Sequence, residues 1–196
     1  TIPVSVTSIG EYAFRSCTSL TSINVADGNI YYSSTNGVLF NKLQTDLIQY
    51  PTGSADITYI IPNSVQNIGQ YAFYYCTSLT SITIPDGWTN IMYAAFNGCT
   101  SLTSITIPYS VYGDIQDYAF AGCTSLISIT VIPEEEIQLI NNVEDNYSSF
   151  DGVLFNQEKT SLIQYPAGKT DSTYEIPVSV RTIGVNAFGD CTGLTS

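Results

Sequence analysis

The sequence predicts a repeat solenoid that consists mainly of β-structure, with one short strand in each turn. A motif of the form Ala-Phe-x-x-Cys-Thr-Ser-Leu recurs at Ala72, Ala95 and Ala119, at intervals of 23 and 24 residues. Self-similarity at such a period is typical of stacked turns. From each Leu onward the pattern becomes Leu-x-x-Ile-x-Ile or its Val variant, and this alternation is typical of a strand with one buried face.

Each unit contains the same elements in the same order. The strand is followed in three copies by a Pro, which cannot donate a hydrogen bond to a ladder and so ends the strand. These residues are Pro85, Pro108 and Pro133. A second apolar pair, such as Val65 and Ile68, then leads into the next Ala-Phe, where we expect a short helical or 3₁₀ turn. Further copies of the motif begin at Ala13 and Ala187.

Two stretches interrupt the regular unit and repeat each other at a distance of 115 residues. Gly-Val-Leu-Phe-Asn begins at Gly37 and again at Gly152, and Leu-Ile-Gln-Tyr-Pro follows each copy. We interpret both as variant turns in the same phase as the others, and we expect the longer intervals to form loops or hairpins. Six strands are then predicted to line one sheet, within six to seven turns. Their centres are Ile23, Ile48, Ile82, Ile105, Ile129 and Ile163.

The repeats run through the whole sequence, so residues 1–196 are predicted to form a single solenoid domain. The chain begins in mid-turn at Ile2-Pro3 and ends in mid-motif after Leu194. We therefore expect a fragment of a longer array that is truncated at both ends. Uncapped repeat ends would allow end-to-end self-association.

These motifs resemble those of the BspA-like leucine-rich-repeat proteins, a family of long solenoids on the surfaces of bacteria and some protozoa. The resemblance rests on five copies of Ala-Phe-x-x-Cys-Thr and on the Gly-Val-Leu-Phe-Asn turns, and it covers essentially the whole chain. It implies a leucine-rich-repeat horseshoe, an exported protein, and adhesion to macromolecules of a host or a neighbouring cell. It implies no catalytic residues. Trp88, where the pattern has Val, and the insertion near Glu134 depart from the unit and are candidates for local specialisation.

The charge balance excludes two classes of partner. The chain has 17 acidic and five basic residues and a net charge of −12, which opposes any surface that follows phosphate groups. We therefore expect no binding to nucleic acid or to anionic membranes. No run approaches the roughly 18 apolar residues that a membrane span requires, so membrane insertion is not expected.

The residue types give little support to catalysis or metal binding. The absence of His excludes Ser-His, Cys-His and His-metal chemistry. The five cysteines share one phase of the repeat, so we expect a column of free, buried thiols that does not converge on a metal ion. A disulfide between neighbouring turns is the alternative, although parallel side chains make its geometry poor. The cysteines are Cys17, Cys76, Cys99, Cys123 and Cys191.

One acidic cluster is present, at Glu134, Glu135, Glu136, Glu144 and Asp145. Its simplest interpretation is a solvated loop. Carboxylate oxygens at this spacing would also suit Ca²⁺, and a carboxyl pair could act on a glycosidic bond. Nothing in the sequence specifies the cleft of a glycosidase, so we predict no enzyme. With a solvated loop as the preferred interpretation of the acidic cluster, we also predict no metal site and no cofactor.

Two surfaces are candidates for binding. In Ser-Ile-Thr-Ile-Pro both Ile side chains point into the core, so the Thr between them points outward. The outward positions are predicted to form one exposed row: Asn24, Gln49, Thr83, Thr106, Thr130 and Gln164. The alternative site lies on edge loops and comprises Tyr109, Tyr112, Glu134, Glu135 and Glu136.

A row of tyrosines just before Ala-Phe is expected on an outer surface. It comprises Tyr12, Tyr71 and Tyr118. Exposed tyrosines suit stacking on sugars or anchoring a protein partner, but a repeated position can also be mere repetition. We therefore predict a non-catalytic binding or adhesion module, on the cell surface or secreted, that presents a sheet face to an extracellular protein or glycan. The alternative is a structural spacer that projects another domain and has no binding face of its own.

Overall fold

The computed structural model describes residues 1–86, 90–108, 111, 113–132 and 147–196. Thirteen short strands lie in these ranges, and no helix is present in them. The same part of the chain therefore has no apolar helix long enough to cross a membrane. In chain order the strands are β1 (Tyr32–Thr35), β2 (Val38–Asn41), β3 (Asp46–Gln49), β4 (Thr58–Ile60), β5 (Asn67–Ile68), β6 (Ser81–Thr83), β7 (Asn90–Ile91), β8 (Ser104–Ile107), β9 (Ser128–Val131), β10 (Tyr147–Phe150), β11 (Val153–Asn156), β12 (Ser161–Gln164) and β13 (Thr182–Ile183).

One sheet is a parallel ladder with one strand per turn, in the order β4-β6-β8-β9. Ile82, Ile105 and Ile129 lie opposite one another in adjacent strands and are buried, whereas Ser and Thr on either side of them face outward. The predicted strand in each Ser-Ile-Thr segment is confirmed. The interval of 23 or 24 residues is the length of chain that returns each strand beside its predecessor.

A second ladder is built from the apolar pairs that precede Ala-Phe. β3 pairs in parallel with β5, and β5 with β7, so that Leu47, Ile68 and Ile91 form a buried row. An isolated bridge continues this row from Ile91 to Ile115. In the second half of the chain β12 pairs in the same way with β13.

The two variant turns contain antiparallel hairpins, as expected for the longer intervals. β1 pairs with β2, and β10 pairs with β11, in the same register. The Asn that ends each Gly-Val-Leu-Phe-Asn motif holds the next turn through its side-chain oxygen. Asn41 Oδ1 accepts hydrogen bonds from the backbone N–H groups of Thr45 at 2.9 Å and Asp46 at 3.1 Å. Asn156 makes the equivalent pair of bonds.

The prediction that six strands line one sheet is wrong: in the described ranges the sheet that contains Ile82 has four strands. Ile23 lies in no strand, and Ile48 and Ile163 lie in strands of other sheets. Ile48 lies in β3 and Ile163 in β12, and both strands belong to the ladder of the apolar pairs. Beside Ile82 stands Tyr59 of β4. In the first variant turn the residues before Thr58 form the hairpin and β3. The turn therefore joins the sheet of Ile82 only at Thr58, where β4 begins. Alignment of the repeats by sequence failed here because the alternation of apolar and polar residues in Leu-Ile-Gln predicts a strand but does not tell which sheet the strand joins.

The Ala-Phe segments form corners made of consecutive β-turns, and not the predicted helical or 3₁₀ turns. In the first corner the N–H of Ala13 donates to Gly10 and that of Arg15 to Tyr12. Tyr12 and Ser16 both have φ of 62°, which lies in the left-handed region and interrupts a right-handed helix. The same two positions have positive φ in the other corners: Tyr71 and Tyr75, Ala94 and Gly98, Tyr118 and Gly122, Asn186 and Asp190.

Aromatic rings stack through the interior as a column. The ring centroids of Phe73 and Phe96 are 5.1 Å apart, and those of Phe96 and Phe120 are 5.6 Å apart with parallel planes. In the variant turn Tyr50 takes the place of Phe and lies 5.2 Å from Phe73. Four successive turns therefore contribute one large ring each to this column, as predicted for the Phe of the motif. In the second half of the chain Tyr165 stacks on Phe188 in the same way.

Candidate functional site

The first sheet carries two columns of hydroxyl groups on its outer surface. Thr83, Thr106 and Thr130 are aligned in adjacent strands, and their side chains are exposed. A parallel column is formed by the Ser that precedes each central Ile. We call these six residues the hydroxyl face: Ser81, Thr83, Ser104, Thr106, Ser128 and Thr130.

Four residues of the hydroxyl face line a depression of about 350 Å³, together with Asp86 and Ile132. These four are Ser81, Thr83, Ser104 and Thr106. Their hydroxyl groups have no hydrogen-bond partner among the residues that the structure describes. Each can therefore donate and accept a hydrogen bond on an incoming molecule.

Gln49 and Gln164 do not belong to an exposed row, and this part of the site prediction is wrong. Their exposed fractions are 8% and 5%. The Nε2 of Gln49 donates to the carbonyls of Tyr50 at 2.8 Å and Ala72 at 3.2 Å, and Gln164 makes the equivalent bonds. These amides satisfy backbone carbonyls where two turns meet, so they turn inward.

The position assigned to Gln49 is occupied by Ile60, which lies opposite Thr83 and is 73% exposed. Asn24 is exposed, but its segment contacts a hairpin: the N–H of Ile23 donates to Gly37 at 2.8 Å. Three of the six predicted row residues are therefore aligned in one sheet. They are Thr83, Thr106 and Thr130.

The alternative edge-loop site lies outside the described residues. This applies to Tyr109, Tyr112, Glu134, Glu135 and Glu136, and also to Trp88 and to the rest of the acidic cluster.

All five cysteines are free, as predicted. Cys76, Cys99 and Cys123 are buried, as expected, but Cys17 and Cys191 are only half-buried, so the prediction of five buried thiols is wrong for these two. Within the described ranges no group of three or more Cys, Asp or Glu side chains is arranged to hold a metal ion.

The predicted row of tyrosines is present and contains a fourth member. Tyr12 and Tyr71 have ring centroids 4.8 Å apart, Tyr71 and Tyr93 5.6 Å, and Tyr93 and Tyr118 5.5 Å. Sequence phasing missed Tyr93 because it lies one residue before the position of the other three. Neighbouring planes are tilted by 50–66°, so the row is a herringbone and not a flat platform.

A groove of about 400 Å³ opens beside Tyr12 and Tyr71. The guanidinium of Arg15 lies over two of its rings, 5.6 Å from the centroid of Tyr12 and 5.4 Å from that of Tyr74. Burial raises the pKa of the Tyr71 phenol above its ordinary value. We call this feature the tyrosine groove and define it by six lining residues: Tyr12, Arg15, Asp46, Gln49, Tyr71 and Tyr74.

The groove arises because the variant turn lacks an Ala-Phe corner. Regular corners stack directly, as where the N–H of Phe73 donates to Ala95 at 2.8 Å and that of Phe96 to Ala119 at 2.9 Å. Between the corners that contain Tyr12 and Tyr71, the variant turn supplies only β3 and the Tyr50 segment. The space that a corner would fill is left open, and the tyrosine rings reach across it.

The second variant turn produces a related groove of about 200 Å³. It is lined by Tyr118, Ser161, Gln164 and Thr182. Both grooves lie beside a variant turn with the same strand pairing. The two grooves therefore differ mainly in the side chains that line them.

Comparisons with known proteins agree with this architecture. The family profile described as "BspA type Leucine rich repeat region" matches in six copies, over residues 1–58 and 52–165. The chain is similar to the structure of a leucine rich cell surface protein from Faecalibacterium prausnitzii A2-165, with 28% identity over 98% of this chain and a TM-score of 0.63. A search of curated proteins returns no match.

Two further solved structures share the fold. A leucine-rich repeat protein from Eubacterium ventriosum is 22% identical over 100% of this chain, with a TM-score of 0.56. The pneumococcal vaccine antigen PcpA is 23% identical over 93%, also with a TM-score of 0.56. The chain covers 52%, 53% and 49% of the Faecalibacterium, Eubacterium and pneumococcal chains, so it spans about half their length. The profile match over most of the sequence and the shared leucine-rich-repeat fold show that this chain belongs to the BspA-type leucine-rich-repeat family.

Proposed function

We propose that the chain is a non-catalytic binding module of a cell-surface or secreted protein, and that its hydroxyl face contacts an extracellular protein or glycan. The observation that carries this proposal is the alignment of hydroxyl groups on adjacent parallel strands. Four of the six have no hydrogen-bond partner among the described residues, and the other two, on Ser128 and Thr130, bond to each other at 3.3 Å. Family membership supports it, as does similarity to a structure described as a cell surface protein. The absence of His from the sequence favours a role without catalysis.

Adjacent strands lie about 4.8 Å apart, so a partner along the hydroxyl face would meet a regular series of donors and acceptors. Each hydrogen bond contributes only about 1 kcal/mol, and several turns must act together to give useful affinity. An introduced charge should disrupt such a contact more strongly than loss of one hydroxyl, because the charge must be desolvated when the partner binds.

The test is the double substitution Thr83→Lys with Thr106→Lys. Binding of the wild-type chain to a panel of immobilised extracellular-matrix proteins and glycans is first measured by surface plasmon resonance. For any panel member that binds, we expect the double variant to weaken binding by about tenfold or more, since 1.4 kcal/mol corresponds to tenfold. Thermal unfolding should be nearly unchanged because both side chains are exposed.

The matched control is Thr7→Lys with Thr35→Lys, which adds the same charge at exposed threonines outside the hydroxyl face. This control should bind like the wild type. Equal loss in both variants would show a general charge effect and contradict the proposal. Binding that survives the double variant but fails in Tyr109 or Tyr112 variants would move the site to the edge loops, and a panel without any binder would favour a spacer.

A further inference from the structure

We propose that the tyrosine groove is a carbohydrate-binding site that holds one or two pyranose rings, separate from the hydroxyl face. Its volume of about 400 Å³ falls within the range of roughly 300–1,000 Å³ that small-molecule sites occupy. The second groove, at about 200 Å³, falls below that range.

The walls of the tyrosine groove suit the apolar face of a sugar ring. Tyr12 is 45% exposed, and its ring centroid lies 4.8 Å from that of Tyr71. Tyr74 packs edge-on against Tyr71 at 5.3 Å. A pyranose exposes C–H groups on its faces and hydroxyls around its rim, and tyrosine offers the matching combination of an apolar ring and a polar tip. The tilted rings form a recess for a short glycan segment and not a track for a long chain.

Polar groups at the base and rim can engage the sugar hydroxyls. Gln49 is buried, and its Nε2 is held by two carbonyls. Its Oε1 accepts no hydrogen bond from the described residues, although the side chain lines the groove. Asp46 accepts hydrogen bonds from Asn67 at 2.5 Å on Oδ1, and from Asn41 and Thr45 on Oδ2. A carboxylate has about four acceptor sites, so Oδ1 can accept one more hydrogen bond from a sugar hydroxyl. Arg15 supplies N–H donors at the rim and makes no salt bridge within the described part of the chain.

The second groove shows that these side chains are not a by-product of the repeat. It retains Tyr118 in place of Tyr12, and Gln164 in place of Gln49. At the positions equivalent to Arg15, Tyr71 and Tyr74 the chain has Ala121, Asn186 and Gly189. Ser161 and Thr182 stand where the first groove has Asp46 and Asn67. The same backbone frame thus carries one tyrosine in both copies, but the arginine and the two further tyrosines in the first copy only.

Other ligand classes fit the groove less well. A peptide that binds by strand addition needs a free sheet edge, but β3 and β5 are paired on both sides in the order β1-β2-β3-β5-β7. A polyanion would be repelled by a chain of net charge −12. A neutral or mildly acidic glycan needs neither a free edge nor a basic surface.

The test begins with the wild-type chain on an array of neutral, N-acetylated and sialylated oligosaccharides, followed by calorimetric titration with the best binder. We expect a dissociation constant below about 1 mM, and Tyr12→Ala should weaken binding by about tenfold or more. Tyr12→Phe should retain most of the affinity because it preserves the ring. The matched control is Tyr118→Ala, which removes the equivalent ring of the second groove and should leave binding unchanged.

Arg15→Ala is the second variant if Tyr12→Ala does not fold, since Arg15 is exposed, and it should weaken binding severalfold. The variant Thr83→Lys with Thr106→Lys should bind the same glycan normally, which separates this proposal from that for the hydroxyl face. The proposal is overturned if no glycan on the array binds, or if Tyr118→Ala or the hydroxyl-face variant reduces binding as much as Tyr12→Ala. A peptide library that yields Tyr12-dependent binders when the array yields none would assign the groove to peptides.

Discussion

At the scale of single residues, two of the three buried thiols are hydrogen-bonded to the backbone of the preceding turn. The Sγ of Cys99 lies 3.1 Å from the carbonyl oxygen of Phe73, and that of Cys123 lies 3.1 Å from the carbonyl oxygen of Phe96. A thiol is a weak donor, but at these two junctions between turns it adds a second hydrogen bond to a carbonyl that already accepts one from a backbone N–H. The cysteine of the motif therefore acts both as a small apolar residue and as a link between turns.

Thiol reactivity should follow position in the solenoid. Burial raises the pKa of Cys76 and Cys99 well above the ordinary value and that of Cys191 to about 11, so little reactive thiolate is present near neutral pH. We expect a bulky thiol reagent at pH 8 to label half-buried Cys17 first and to leave the three buried cysteines intact. Peptide mass spectrometry measures the sites, and unfolding in guanidinium should expose all five. Rapid labelling of Cys99 in the native protein would contradict the buried column.

Gln49 and Gln164 also link neighbouring turns, through amide hydrogen bonds that are stronger than those of a thiol. Each amide donates to two carbonyls where a variant turn meets the next corner. Strand alternation showed that these side chains point opposite to Ile48 and Ile163, but alternation does not tell which side of a strand is the interior.

At the scale of elements, the variant turns depend on glycines that allow close approach to the preceding turn. A Cβ at Gly53 would lie 2.6 Å from the carbonyl oxygen of Thr18, and one at Gly168 would lie 2.5 Å from the backbone of Ser125. The N–H of Gly53 donates to Leu20 at 2.9 Å. The variant turn is thus fixed against its neighbour through backbone contacts that leave no room for a side chain.

Gly53→Ala should destabilise the protein by about 1–3 kcal/mol, because the backbone on both sides must shift to admit the methyl group. Gly10→Ala is the matched control, since nothing lies within 4 Å of its Cβ position, and it should change stability by less than about 0.5 kcal/mol. Urea unfolding followed by circular dichroism measures both variants. Equal stability of the two would show that the junction at Gly53 is looser than the structure indicates.

At the scale of the whole molecule, acidic groups greatly outnumber basic ones. With 17 acidic and five basic residues, the folded chain confines mainly like charges, and their repulsion opposes the compact state. Lys169 offsets part of this by pairing with Asp151 at 2.9 Å and Asp171 at 3.4 Å. The two aspartates are exposed although the Lys169 side chain is largely covered. Pairs with a solvent-exposed partner contribute only about 0–1 kcal/mol each, so repulsion should dominate the response to salt.

Raising NaCl from about 10 to 300 mM should therefore increase the melting temperature, since the Debye length falls from about 30 Å to well below 10 Å. A gain of about 1 kcal/mol corresponds to a rise of roughly 2–4 °C in a chain of this size. Differential scanning fluorimetry in NaCl and in a second monovalent salt, KCl, measures the shift and controls for ion-specific effects. A fall in melting temperature would mean that the Lys169 pairs outweigh the repulsion.

The sequence by itself determined the repeat, the strand in each Ser-Ile-Thr segment, the inward Phe column, the free cysteines and three members of the tyrosine row. These features depend on local alternation and on the spacing of 23 to 24 residues, which any stacked turn must obey. Only the tertiary structure decided which sheet the variant turns join, that Gln49 and Gln164 face inward, and that Arg15 and Tyr74 meet Tyr12 at a groove. These features depend on how the hairpins displace one turn against the next, and sequence spacing alone does not specify contacts between residues that are far apart in the chain.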